Sequence, residues 1–154
     1  MSAESTTKPL EGGCLCEATR FTCLVGPTLI SYCHCRMCRK ATGGVFSTMA
    51  NFPRNEVRWH GDPKWRRSSP LAVRGFCGEC GTPLAFQYDD SEHVSLSVGA
   101  FDDAESLHPT QHGGIESRLS WVTIDPDLPA ERCDDDPDYR HLVQQANWRP
   151  PFDR

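Results

Sequence analysis

Seven of the nine cysteines in this chain fall into three clusters: Cys14-Leu15-Cys16, Cys33-His34-Cys35-Arg36-Met37-Cys38 and Cys77-Gly78-Glu79-Cys80-Gly81. Closely spaced thiols suit zinc, whose tetrahedral shell sets each thiolate sulfur about 2.3 Å from the ion and needs tight turns that aim several sulfurs at one point. In the third cluster, Gly78 and Gly81 permit positive φ, which lets backbone N–H groups curl toward the sulfurs and stabilise them as thiolates.

One cysteine pair cannot close a four-ligand shell. The economical partition joins Cys14 and Cys16 to Cys77 and Cys80 around one zinc and leaves Cys33, Cys35 and Cys38 to hold a second with one open position. A closed shell is structural, whereas three protein ligands plus an exchangeable position are the pattern of catalytic zinc. Two alternatives stay open on spacing: His34 completes the triplet's shell, or the triplet is a closed structural knuckle with a ligand from elsewhere. A thioredoxin-like redox role for Cys77 and Cys80 is disfavoured because no βαβ pattern surrounds them. Cys23 alternates with Phe21 and Val25 and reads as a buried apolar thiol, and Cys133, in a polar segment, as an incidental free thiol.

Short elements must bring the clusters together. Alternation predicts a strand over residues 20–25 and another over 28–32. Residues 36–42 predict a helical turn closed by Gly43 and Gly44, followed by extended chain over 45–50, so the triplet sits at a strand end and helix start. Further strands are expected at 57–60, 71–76, 84–88, 94–98 and 120–124. Asp136 and Pro137 suit an N-cap and first position of a terminal helix over 138–146. The fold class is mainly β and antiparallel, with a flexible N-terminal segment (1–11), one zinc-binding domain (12–130) and a tail carrying the short helix (131–154).

The length of 154 residues fits one domain, and 12 glycines and 12 prolines mark a chain rich in turns. The net charge of -5 repels polyanions, so no nucleic-acid partner is expected. The N-terminal stretch lacks an apolar signal core and no segment approaches membrane-spanning length, which predicts a cytoplasmic protein without a membrane partner. Thiols stay reduced in that compartment, so nine cysteines point to metal rather than disulfides.

The clusters and their flanks resemble the glutathione-dependent formaldehyde-activating enzyme (GFA) and centromere protein V family. The likeness runs from Gly12-Gly13-Cys14-Leu15-Cys16 through the triplet to Arg74-Gly75-Phe76-Cys77-Gly78-Glu79-Cys80-Gly81-Thr82-Pro83-Leu84. It continues more loosely through Val98-Gly99, Asp102, Pro109, His112, Trp121 and Leu128-Pro129. The resemblance implies coiled antiparallel sheets of the Mss4-like group. It also implies two zinc ions, one structural on Cys14, Cys16, Cys77 and Cys80 and one catalytic on Cys33, Cys35 and Cys38. The implied activity is that of a carbon–sulfur lyase run in reverse, condensing a thiol such as glutathione with formaldehyde or another small aldehyde. Since family membership does not transfer substrate, a non-catalytic, zinc-stabilised binding module is the alternative.

In such a reaction an open zinc position would take the substrate thiol and lower its pKa for attack on a carbonyl. Arg36, Arg39 and Lys40 are candidate contacts for an anionic thiol, and His34 or His112 for a proton shuttle. The plainer reading of His112 is a hydrogen-bonded structural histidine, and His112-Gly113-Gly114 departs from the family's usual apolar residue after that histidine. Lys64, Arg66 and Arg67 read as a solvated face, and Trp59, Trp65, Phe46 and Phe52 as core.

Overall fold

Apolar alternation builds most strands of the computed structural model, which describes residues 8–137. Strands β1 (Leu10–Gly13), β2 (Arg20–Cys23) and β5 (Val57–His60) form an antiparallel sheet in the order β1-β2-β5. The second sheet contains β3 (Leu29–Cys33), β4 (Ser47–Pro53), β6 (Lys64–Ser69), β7 (Ala72–Phe76), β8 (Pro83–Tyr88), β9 (His93–Ser97) and β10 (Gln111–Gly113). Its order is β10-β3-β4-β9-β8-β7-β6, antiparallel throughout except for the parallel pair β10 and β3. The single α-helix among the described residues, α1 (Arg36–Thr42), follows β3 directly.

Side chains alternate across a strand, so register assigns each row to a face. Ile30, Ala50, Leu96 and Ala85 are cross-strand partners and all are buried. With Phe52, Val94 and Leu84 they meet Phe21, Cys23 and Val57 of the smaller sheet in one core. Phe101 joins the two sheets, with its ring 4.9 Å from Phe21 and 5.8 Å from Phe52. Full burial of a side chain such as Phe52 or Leu96 contributes about 1.5–3 kcal/mol.

The adjacent row, Asn51, Ser95, Phe86 and Arg74, faces the other way. Ser31, Cys33 and Met49 share that outer face, since Ser31 pairs with Met49 and Cys33 lies two residues further along β3. The face away from the core thereby becomes the floor of a site.

Three strands went unforeseen. β1 holds two adjacent glycines, residues depleted in strands. β6 is charged, as suits the edge of a sheet, and β10 is three residues long. The strand expected at 120–124 does not form. The β10 edge of the large sheet is already taken by residues 129–131, through His112 N–H to Pro129 C=O (2.8 Å) and Glu131 N–H to His112 C=O (2.9 Å). Residues 119–122 instead make a turn, Val122 N–H to Leu119 C=O at 3.0 Å, leaving Trp121 71% exposed. The first strand starts at Leu10, ahead of the domain boundary expected at residue 12. The terminal helix expected over 138–146 lies outside the described residues. No helix among those described is long and apolar enough to cross a membrane.

Candidate metal centres

Two turns bring the outer cysteines together. In the first, Cys14 N–H bonds Thr19 C=O (2.9 Å) and Glu17 N–H bonds Cys14 C=O (3.1 Å). In the second, Cys77 N–H bonds Thr82 C=O (3.0 Å) and Gly81 N–H bonds Cys77 C=O (2.9 Å). Gly81 takes the left-handed φ of 78° that this turn demands, whereas Gly78 does not adopt positive φ. Thr82 ties the turns, its Oγ1 accepting from Leu15 N–H at 3.1 Å and lying 3.1 Å from Cys80 Sγ.

The four sulfurs of Cys14, Cys16, Cys77 and Cys80 lie within 4.8 Å of one another. Cys14 to Cys16 is 3.6 Å and Cys16 to Cys77 is 3.8 Å. Tetrahedral zinc with sulfurs at 2.3 Å requires about 3.8 Å between sulfurs, so the donor set fits such an ion. Hydrogen bonds from the Thr82 side chain and backbone pull the Cys80 thiol down to about 5, and the Cys80 backbone N–H lowers Cys77.

The triplet is built by the junction of β3 and α1. Cys33 ends the strand, Cys35 is the helix N-cap and Cys38 lies in the first turn, with Cys38 N–H donating to Cys35 Sγ at 3.3 Å. Their sulfurs also lie within 4.8 Å of one another. Hydrogen bonds from Cys33 and Cys35, and the Arg74 guanidinium, hold Cys38 well below the usual thiol range. Cys33 is driven the other way by its bonds to Cys35 and Cys38 and by burial.

A cavity of about 210 Å³ opens in front of the triplet. Its floor is the outer row of the large sheet, including Met49, Arg74 and Phe86, and its walls include Tyr88, Gly114 and Cys133. Met49 also lines a larger groove of about 750 Å³ that runs past Phe46 and Ser97 to the Cys14–Cys16 turn. Partial burial, followed by the charge of the cavity sulfurs, raises the Tyr88 phenol to about 12.

His34 and His112 come together, but neither lines this cavity. His34 Nε2 lies 2.9 Å from His112 Nδ1, and His112 Nε2 lies 3.0 Å from the Asp125 carbonyl. A carbonyl only accepts, so His112 carries its proton on Nε2 and His34 donates from Nε2. Both rings are buried, and burial followed by the neighbouring His112 lowers the His34 pKa. His34 is not part of either sulfur group. Arg36, Arg39 and Lys40 line a separate shallow depression of about 270 Å³ that shares Gly44 with the larger groove.

Arg74, Tyr88, Met49 and Cys133 are site residues that the sequence reading did not assign. Arg74 alone left a signal, since it alternates with the core-facing Gly75 on the strand that leads into Cys77. Cys23 is fully buried, and burial raises its thiol to about 12. Arg67 pairs with Asp89 at 2.8 Å on the solvated edge. Phe52 lies in the core, Trp59 packs against it, Trp65 is 40% exposed, and Phe46 borders the large groove.

Two sulfur clusters set on a two-sheet β scaffold define a thiolate protein able to hold two metal ions. The chain belongs to the glutathione-dependent formaldehyde-activating enzyme family, whose pattern matches residues 9–116, more than two thirds of its length. Over 83 residues, 54% of this chain, it is 31% identical to an uncharacterized lyase of Schizosaccharomyces pombe, and the match spans 61% of that relative. A solved Rhodobacter sphaeroides protein aligns with a TM-score of 0.47 and 16% identity, covering 78% of this chain and 98% of that one.

Proposed function

We propose that this chain is a zinc-dependent enzyme of the carbon–sulfur lyase type that condenses a small thiol, glutathione or one like it, with formaldehyde or another small aldehyde. The observation that carries this reading is the contrast between the two clusters. Four sulfurs complete one shell, whereas Cys33, Cys35 and Cys38 offer three and face a cavity. The family and the name of the yeast relative support a reaction of this type.

A zinc ion on the triplet would supply Lewis acidity that lowers the pKa of a thiol bound to it. The chain's own groups position the rest. Arg74, 3.4 Å from Cys38 Sγ, offsets part of the negative charge of the three thiolates. The groove beyond Met49 takes the body of the thiol, and Arg36, Arg39 and Lys40 meet an anionic end of it across Gly44. Tyr88 stays protonated at neutral pH and donates to the aldehyde oxygen as the sulfur–carbon bond forms. The carbonyl π pair passes to oxygen, oxygen takes the Tyr88 proton, and Tyr88 regains the proton that the substrate thiol has shed. His34 and His112 act behind the cavity as positioning residues, bonded ring to ring, with the His34 backbone N–H donating to Gly113 C=O at 2.9 Å beside the cavity wall.

Exchange NMR with labelled formaldehyde and glutathione tests the reaction. Catalysis predicts that the zinc-loaded chain speeds exchange between free aldehyde and the S-hydroxymethyl adduct above the spontaneous rate. Equal rates with and without protein, across a panel of thiols and aldehydes, would favour the non-catalytic binding module.

A further inference from the structure

The cavity holds four cysteines, not three. Cys133 lines it together with Cys33, Cys35 and Cys38, although it lies 95 positions beyond Cys38 in the sequence. Its position is built by backbone pairing. Residues 129–131 run beside β10, with a parallel bridge between His112 and Ala130. Ile115 N–H bonds Glu131 C=O at 3.3 Å, and Cys133 N–H bonds the Glu116 carboxylate at 3.1 Å. The segment is thus clipped at three points to β10 and the chain that follows it. That same chain abuts the triplet: Gly114 has φ 64°, and a Cβ there would stand 2.9 Å from Cys35 N.

We propose that Cys133 is a displaceable fourth ligand of the triplet metal, closing the shell in the resting protein and yielding to the incoming thiol. This rests on the reading of the triplet as a zinc site. Three observations carry it: three sulfurs with metal-ligand spacing, a cavity where a fourth belongs, and a fourth thiol in that cavity's wall. Cys133 is not within the 4.8 Å that joins the other three, so ligation draws it inward from a half-buried position on a short turn, Cys133–Asp135.

The exchange balances without a co-reactant. The bond from Cys133 sulfur to the metal breaks, the bond from substrate sulfur forms, and the proton of the incoming thiol passes to Cys133, which gives it up to Tyr88 when the product leaves and Cys133 returns to the metal. A protein ligand in this place keeps the triplet loaded when substrate is scarce and makes a thiol, rather than water, the group that opens the site. It also sets a selectivity, since the entering group must compete with a thiolate and an alcohol does so poorly at a soft thiolate-rich centre.

Cadmium NMR on the full chain reads this directly, because the cadmium shift moves downfield with each thiolate bound and the outer four-sulfur site serves as an internal control of fold. The proposal predicts two resonances in the four-thiolate range for the wild type. In Cys133→Ser, and again in Cys133→Ala, one of them moves to the three-thiolate range, and added glutathione restores it. If the triplet resonance lies in the three-thiolate range in the wild type and is unmoved by either substitution, Cys133 is not a ligand, while the zinc-site reading stands. If the wild type binds one cadmium per chain, the triplet is not a metal site and both readings fall.

Discussion

Arg74 Nη2 stands 3.4 Å from Cys38 Sγ while its guanidinium carbon lies 4.8 Å over the Phe86 ring. Phe86 is its cross-strand partner, so the sheet register itself aims the cation at the triplet. Removing a group that supports a metal ligand costs about 10–100-fold in metal affinity. Arg74→Ala is therefore expected to weaken zinc at the triplet by that factor and leave the outer site unchanged, as read by chelator competition. Arg74→Lys keeps the charge but loses the planar fork, and is expected to fall between.

The outer cluster predicts a pH profile in the metal-free chain. Cys80 is lowered from 9.0 to about 5 by its Thr82 hydrogen bonds. A thiol depressed in the folded state stabilises the fold fully above its unfolded pKa. That contribution declines as pH falls from about 9 toward 5 and is lost below the folded value. Alkylation of Cys80, followed on its peptide by mass spectrometry, is expected to keep its thiolate reactivity down to about pH 5 in metal-free protein and to be suppressed by zinc. A midpoint near 9 would contradict the hydrogen-bonded geometry.

His34 has its pKa lowered by burial and by His112. The unfolded chain thus binds a proton that the folded chain resists, and stability drops as pH falls below the ordinary histidine value of about 6.5. His34→Gln is expected to make the melting temperature less sensitive to pH between about 7 and 5. His112→Ala strands the buried His34 donor, at about 1–3 kcal/mol for an unsatisfied buried group, while the Asp125 carbonyl keeps its bond from Leu128 N–H. Chemical denaturation of the zinc-loaded protein measures that loss.

Tyr88→Phe separates binding from proton transfer. The variant is expected to keep both metals and its affinity for the thiol while its turnover falls about 100-fold, in the range for a positioned general acid. Unchanged turnover would remove Tyr88 from the chemistry.

The grouping of the cysteines into a four-sulfur and a three-sulfur set was legible in the sequence because ligand spacing is a local, chemical signal. Cys35 and Cys38 face one point through a single helical turn, and Cys77 and Cys80 through one glycine-dependent turn. Most strands were legible from alternation, as at Val57–His60. The failures share a cause. The alternating segment at 120–124 stays outside both sheets, where residues 129–131 hold the β10 edge, and β10 owes its existence to β3, far away in the chain. Arg74 and Cys133 reach the triplet through register and through pairing across long separations, which no local pattern records. His34 and His112 could be singled out by residue type, but only the fold reveals that they bond to each other.

In the proposed function the two clusters are unequal, one closed and structural, the other open to a thiol. Zinc content, far-ultraviolet circular dichroism and glutathione binding, measured together on wild type, Cys35→Ser and Cys80→Ser, test it most directly. The wild type is expected to hold two zincs and bind glutathione, and Cys35→Ser to hold one zinc, keep its fold and bind no glutathione. Cys80→Ser is expected to lose its fold, since a structural zinc contributes roughly 10–16 kcal/mol of apparent binding free energy. Unfolding of Cys35→Ser as complete as that of Cys80→Ser, or a wild type whose triplet zinc takes no thiol, would contradict it.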